Sequence, residues 1–431
     1  EDPFSKLFSP GENAAAGGGS YTAGAMGEER LGSLPQEVAI GVNLPLTGPY
    51  AGQAKDQQRG YELAAEALNE KGGVLSRTVV LEIRDTQARG DLAGENADKL
   101  ILEESTAMIT GGATAPEALA QSAVCQEQGT IFMAAMDNSN SLTGHMITPA
   151  GFTVQSAHRH TFRWFLSAWM TGQALGRYMM KEFGTDATYF YVATENSWGF
   201  ALEDTLRRIT EIAGADHKGT LWTEAGTADY TSQIKAAAEA GPDVLVLLQY
   251  GPDLEQALKA AHQLGVGEDM KIVAPVLELH MAKKLGPEVI EGVTATTTWY
   301  WALADKYEGS RRFVKAFLDK YGQPPGVGAA CAWVAVHQWA DAVAEAQDFY
   351  ADDRIILALE GHKFTLLKDE ETWRDWDHQC VSSVLIVRGK GPDASTGPWD
   401  LLEVVDTVPG SEVVRSREEN PVSLESLVIE E

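Results

Sequence analysis

The chain reads as an α/β protein of two Rossmann-like, doubly wound lobes. Three observations predict this. From residue 38 onward, short apolar segments of strand length alternate with stretches of helical periodicity, the pattern of a parallel sheet carrying helices on both faces. The alternation restarts near residue 162 with the same design. Finally, 431 residues at 44% hydrophobic and 22% charged composition exceed what one core holds, so two lobes are expected.

The elements follow in order. Residues 38–42 form an apolar strand that runs into a Pro/Gly turn at Pro45, Gly48 and Pro49, which delivers polar and aromatic groups, Tyr50 among them, to the start of a helix. Beyond the carboxyl ends of strands in an open α/β sheet, loops and helix N-termini point free N–H groups into a crevice, so this turn is a candidate ligand loop. Residues 60–70 carry apolar side chains on one helical face and stop at Gly72 and Gly73. A strand at 78–84, a helix at 91–104, a strand ending at Gly111, a helix at 116–128 and a strand at 130–134 complete the first set. The second set is helix 164–183, strand 187–193, helix 197–213, strand 219–222, helix 230–240, the wholly apolar strand 243–249, helix 254–264 and strand 271–274. A third segment contains a β-rich stretch at 293–300, helices at 311–321 and 327–346, and strands within 373–387 and 399–408. No Gly-x-Gly-x-x-Gly stands at any strand-to-helix turn, which disfavours a dinucleotide fold.

Composition excludes several functions. Sixty-two acidic against 34 basic residues give a formal charge of -28, and nucleic-acid binding needs a basic footprint instead. No run of about 18 apolar residues is present to span a membrane. Three cysteines, Cys125, Cys331 and Cys380, cannot all pair within one chain and lack metal-site spacing. Three half-buried thiols are the expectation, a Cys331–Cys380 disulfide the alternative. Residues 1–37, rich in Gly, Ala, Ser and Glu, read as a flexible mature N-terminus left after removal of a signal peptide.

The order of several local signatures between residues 38 and 408 resembles the branched-chain amino acid type of periplasmic solute-binding protein, which feeds ABC importers. The landmarks are LTGP at 46–49 with Gly60 on the helix after it, NEKGGV at 69–74, RDTQ at 84–87, ITGGATAP at 109–116, NSLT at 140–143, FRW at 162–164, ENSWG at 195–199, TADY at 227–230, EG at 291–292 and DHQ at 377–379. The resemblance implies a hinged clamshell whose chain crosses between lobes more than once. Residues 38–158 with 297–349 would form lobe 1. Residues 159–296 with 350–431 would form lobe 2 and the hinge-crossing strands. It also implies a non-enzymatic monomer without cofactor in the periplasm, which holds an amino acid or related small carboxylate or amide between its lobes and docks on membrane permease subunits. An aromatic acid or short amide is the alternative ligand, and a sensory receptor domain of the same fold the alternative role.

Carried over residue by residue, the resemblance places the ligand carboxylate on two loops, one with Ala113, Thr114 and Ala115, the other with Ala135 and Asn138. Pro116 opens a helix whose dipole favours an anion there. Relatives have Ser where this chain has Ala115 and Thr where it has Asn138. Asn donates and accepts, which suits an amide or a differently posed carboxylate. Trp198 and Tyr250 supply aromatic contacts from the second lobe, and Glu278 matches the acidic residue that holds an α-ammonium in some relatives. Tyr50 and Trp299, with Tyr300 and Trp301, add aromatic surface, at least one of the last three facing away from the ligand.

Chemistry is absent elsewhere: the sequence has no Gly-x-Ser-x-Gly elbow, Walker A loop or His-Glu-x-x-His pair. His158, Arg159 and His160 read as a solvated loop rather than a metal site. Asp377 and His378, adjacent on an expected strand, point to opposite faces and read as structural.

Overall fold

The computed structural model describes residues 36–147 and 151–424. Apart from its last two positions, the expected flexible N-terminus lies outside them. In chain order the elements are β1 (Glu37–Leu44), α1 (Ala51–Asn69), β2 (Thr78–Asp85), α2 (Gly90–Leu102), β3 (Met108–Gly111), α3 (Ala115–Gln128), β4 (Ile131–Ala134), β5 (His145–Ile147), β6 (Thr153–Gln155) and β7 (Thr161–Arg163). Then follow α4 (Ala168–Phe183), β8 (Thr188–Thr194), α5 (Ser197–Ile212), β9 (Asp216–Thr223), α6 (Thr231–Ala240), β10 (Val244–Leu248), α7 (Pro252–Gln263), β11 (Lys271–Val276), α8 (Leu279–Leu285), α9 (Pro287–Ile290) and β12 (Thr294–Thr297). The last part holds α10 (Glu308–Tyr321), α11 (Val327–Ala346), α12 (Asp352–Leu359), β13 (Lys363–Phe364), β14 (Glu371–Trp373), β15 (Cys380–Val381), β16 (Val384–Gly389), β17 (Leu402–Val408) and α13 (Gly410–Val413).

Strands β2-β1-β3-β4-β7 form a parallel sheet, and β17-β16-β12-β11-β10-β8-β9 form a second. The second is parallel from β12 to β9, with β16 and β17 added antiparallel at one edge. Strand β10, five consecutive apolar residues, is fully buried, as a central parallel strand covered on both faces must be. Helix α11 buries most of its length against α1. Gly60 allows that approach: a Cβ there would stand 2.5 Å from the Ala329 carbonyl oxygen.

Several boundaries differ from the sequence reading. Helix α1 begins at Ala51 rather than near residue 60, because Gln53, Asp56 and Gln57 are buried polar side chains and break the apolar pattern. Strand β7 completes the first sheet beyond the limit expected at residue 158. Helix α12 packs on α11, and the small sheet β13-β14-β15 joins the edge of the first sheet through the Arg163–Gln379 bridge, so this stretch sits beside the first sheet although it was expected with the second. Asp377 and His378 occupy a turn between β14 and β15, not a strand; His378 has φ 56°, stacks on Phe162 and contacts Glu360 at 3.0 Å. All three cysteines are buried and free.

The chain passes between the sheets three times: after β7, after β12 and before β16. One buried pair touches all three passages. Lys368 Nζ donates to the Thr298 carbonyl at 2.8 Å and the Ser383 carbonyl at 2.6 Å, and lies 5.5 Å from the Trp164 ring centroid. Glu371 Oε1 accepts from Trp164 Nε1 at 2.7 Å and Ser382 Oγ at 2.6 Å, and stands 3.7 Å from Lys368 Nζ. Burial raises the Glu371 carboxyl above its usual range against the pull of Lys368. Removing one member of such a pair strands the other away from water. Lys368→Met is therefore expected to cost about 3–5 kcal/mol in urea unfolding at neutral pH; a loss below about 1 kcal/mol would show that the pair does not hold the crossings together.

Candidate functional site

A cavity of about 220 Å³ opens between the lobes at the carboxyl ends of their strands. From lobe 1 it is lined by the turn after β1 (Tyr50), the start of α3 (Ala113 to Pro116) and the loop after β4 (Met136 to Ser139). Lobe 2 contributes the ends of β8 and β10 and the loop after β9; Phe165 comes from the first crossing. Among the described residues, no His, Cys, Lys or Arg lines it. The volume lies below the ~300–1,000 Å³ of pockets for drug-sized ligands, so the space is that of a small molecule.

Four aromatic side chains, Tyr50, Phe165, Trp198 and Tyr250, line this space. Tyr50 and Tyr250 stack across the cleft, centroids 6.3 Å apart and planes 18° from parallel. Gly251, at φ 60°, makes the fit possible, since a Cβ there would meet Tyr50 Cε1 at 2.7 Å. Burial, then the charge of Asp253, raises the Tyr50 hydroxyl to about 12. Burial, then Glu278, also raises the Tyr250 hydroxyl well above its ordinary value. Both rings keep their protons at neutral pH. The Tyr250 hydroxyl is buried with no partner among the described residues.

The expected site residues divide. Tyr50, Ala113, Thr114, Ala115, Asn138, Trp198 and Tyr250 all line the cavity, but two hydroxyl- or amide-bearing groups are already engaged. Thr114 Oγ1 donates to Glu117 Oε2 at 2.7 Å, and the Ala113 N–H donates to the same oxygen at 3.1 Å. Asn138 donates to the Leu166 carbonyl at 2.8 Å and Thr171 Oγ1 at 3.1 Å, while its Oδ1 accepts from Trp198 Nε1 at 2.9 Å. Its side chain thus bridges the lobes. Ala135 is buried in the lobe 1 core, and the neighbouring Met136 lines the cavity in its place.

Glu278 and Trp299 are corrections. Glu278 caps α8, accepting from the backbone N–H groups of His280 at 2.7 Å and Met281 at 2.8 Å, and it also accepts from Gln53 across the cleft at 3.2 Å. It lies off the cavity and is 2% exposed. Trp299 is 1% exposed, its indole donating to Ser310 Oγ at 2.8 Å and its ring packed on Phe313. Tyr300 and Trp301 both donate to the Trp399 carbonyl, away from the ligand space. The His158–His160 stretch is no solvated loop: His160 contacts Asp352 at 2.6 Å and Arg159 contacts Glu360 at 2.9 Å, both largely buried.

Other lining residues escaped the sequence reading. Asp253 and Asn196 carried a signal, since each sits in a strand-end loop at a helix start, the Gly251-Pro252 step marking one and the ENSWG stretch the other. Phe165 and Met136 carried none.

The geometry is that of a two-lobed solute-binding protein, and comparison with known proteins agrees. The family model described as periplasmic binding protein matches residues 37–396. The chain belongs to that family. It is a solute-binding protein of the ABC-transporter type, not an enzyme. Members of this family work outside the cytoplasm, and among the described residues no helix is long and apolar enough to cross a membrane. Leu/Ile/Val-binding protein homolog 7 of Brucella abortus is 25% identical over 304 residues, covering 68% of this chain and 73% of that protein. An amino acid ABC transporter substrate-binding protein from Pseudomonas fluorescens superposes with a TM-score of 0.81 at 21% identity, over 90% of this chain and 99% of its own. An ABC transporter solute-binding protein from Rhodopseudomonas palustris, in complex with 3,4-dihydroxybenzoic acid, superposes at 0.76 with 15% identity, over 89% and 100%. The two structures share the fold.

Behind the Tyr50–Tyr250 stack the binding protein carries an ion pair across its cleft. His280 Nε2 of lobe 2 lies 3.1 Å from Asp56 Oδ1 of lobe 1, without an aligned N–H, so the contact is one of charge. Asp56 also accepts from the Gly326 and Ala329 N–H groups at 2.9 and 2.8 Å, which fixes it at the start of α11. Burial alone lowers the His280 imidazole, but Asp56, with Glu278 adding and Arg59 opposing, raises it to about 9. A raised histidine stabilises the fold fully below its ordinary value near 6.5, and that contribution disappears as pH rises through about 9. Urea unfolding is expected to show a loss on the order of 3 kcal/mol across this window, largely absent in His280→Gln. Parallel pH profiles for the two proteins would contradict the ion pair.

Proposed function

We propose that this binding protein captures a small carboxylic acid with an apolar or aromatic body, of the size of one amino acid, and hands it to the membrane permease of an ABC importer. The observation that carries the reading is the interlobe cavity itself: a cleft of about 220 Å³ walled by four aromatic side chains and entered by the first turn of α3. Within that turn the Ala115 N–H has no partner inside the helix, and a helix N-terminus favours an anion. Asn196, whose Oδ1 accepts from the Gly199 N–H at 2.8 Å, lines the same cavity from lobe 2 and offers amide donors for a second hydrogen bond. Closure follows because the ligand touches both lobes and therefore binds the closed form better than the open one.

Amino acids are the first class to test, in keeping with the relatives' names. Aromatic acids are the second, favoured by the ring-lined walls and by the dihydroxybenzoate held in a protein of the same fold. We place the protein in the periplasm as a monomer, closing around its ligand before it docks.

Thermal unfolding against aliphatic and aromatic amino acids, benzoates and short amides tests the proposal. An acid present at about a hundred times its dissociation constant should add roughly 2.7 kcal/mol to stability, a clear rise in midpoint. Trp198→Ala, which opens the wall and breaks the bridge to Asn138, should abolish most of that rise. A native protein unmoved by every acid in the panel would remove small carboxylates from consideration.

A further inference from the structure

A second cavity, of about 360 Å³, lies away from the cleft and shares no residue with the interlobe one. Its walls are the first turn of α10, the second half of α11 and residues 362–368, the stretch that begins at β13 and runs into the hinge pair. The volume falls within the ~300–1,000 Å³ of small-molecule pockets. Rings and apolar side chains supply much of the surface. His362 stacks on Phe364, centroids 6.2 Å apart, and Phe364 stacks in turn on Trp373 at 5.8 Å. Burial holds the His362 imidazole below its ordinary value, so it is uncharged at neutral pH. The cations on these walls are answered: Arg312 Nε donates to Glu308 at 3.0 Å, Lys363 stands 3.2 Å from Glu370, and Lys368 belongs to the hinge pair. Asp341 is not. Among the described residues it has no ion pair, and its one hydrogen bond comes from Gln338 Nε2 at 3.3 Å, an amide already fixed by accepting from Trp373 Nε1 at 3.0 Å. Burial pushes the Asp341 carboxyl up to about 7, with the charge of Lys71 opposing. His337, one turn earlier on α11, is pushed down to about 4 and adds no charge.

We infer that this cavity is a second ligand site, which takes a small amine with an apolar body: the ammonium binds Asp341, and the body lies among Tyr307, Phe364 and Leu366. A carboxylate offers about four acceptor sites, and one long hydrogen bond leaves most of that capacity unused. Held half out of water without a counter-charge, such a group costs free energy, and an ammonium carried in by a ligand recovers it. The faces of the neighbouring rings attract a cation as well. An anion would find the wall's cations already paired and Asp341 against it. Because the two cavities are separate, the amine binds beside the captured solute and not in its place. It rests against the stretch that leads through Leu367 to Lys368, and so against the hinge. The rival role for Asp341, a helix acid that merely faces water, makes no distinction between an amine and a neutral compound of the same shape.

Calorimetric titration of the native protein with two matched pairs separates these roles: 2-phenylethylamine against 2-phenylethanol, and cyclohexylamine against cyclohexanol. At neutral pH the amine of at least one pair should bind about tenfold or more tightly than its alcohol, the scale of one charge-assisted hydrogen bond. Its affinity should fall by up to about tenfold per pH unit below 7, as Asp341 takes up a proton, and level off above 7, while the alcohol stays flat. Asp341→Asn removes an unpaired charge and keeps the shape of the side chain. It should bring the amine down to the affinity of the alcohol. Thr365→Trp, at an exposed position on the wall, should crowd the space and weaken both members of the pair. Amines that bind no better than their alcohols, or not at all, would overturn the assignment. So would an amine preference that survives both variants, since it would place the amine elsewhere. Neither result touches the capture of acids in the cleft.

Discussion

The contact on which the rest of the molecule depends is the Lys368–Glu371 pair at the hinge. A clamshell needs its crossing strands to flex together, and three separate peptide segments have no covalent reason to do so. Here one ammonium holds a carbonyl from the second crossing and a carbonyl from the third, and one carboxylate holds the indole of the first crossing and a hydroxyl of the third. The crossings are further stitched by Leu166 N–H to Thr298 Oγ1 at 3.1 Å and by Gln379 to the Phe165 carbonyl at 3.1 Å. A buried ion pair is weak evidence for stability as such. Its use here is to fix register: the cavity wall inherits its geometry from Phe165, which stands on the first of these crossings.

Much of this was legible in the sequence, and the parts that were not share a cause. The alternation of strands and helices is a local property, so β10 and its neighbours could be read from five apolar residues in a row. The strand-end loops were legible for the same reason, and seven of the ten residues expected at the site do line the cavity. What failed were the side chains whose partners lie far along the chain. Trp299 looked like cleft surface until Ser310 and Phe313 were placed beside it. His160 looked solvated, but its partner Asp352 is 192 residues away. Lys368 and Glu371 lie in a run of charges with no local sign of burial, yet they form a buried ion pair at the hinge. The start of α1 was hidden because Gln53 and Asp56 interrupt its apolar face in order to reach across the cleft.

That last point bears on how the protein works. Among the described residues, contacts across the cleft include Tyr50 with Tyr250, Gln53 with Glu278, Asp56 with His280, and Trp198 with Asn138. Each favours the closed form. A ligand shifts the balance only by what it gains in the closed form beyond the open one. Contacts between the lobes lower the cost of closing, so less of the ligand's intrinsic affinity goes into converting the population. The same contacts have a limit. Release of a ligand requires the lobes to part, so the built-in contacts must be weak enough to be undone. The composition of the set fits that demand: a ring stack, two neutral or singly charged hydrogen bonds and one ion pair, none of them resembling the hinge pair that holds three crossings at once. Strength is concentrated where the three crossings must bend as one and divided into small parts where the lobes must separate.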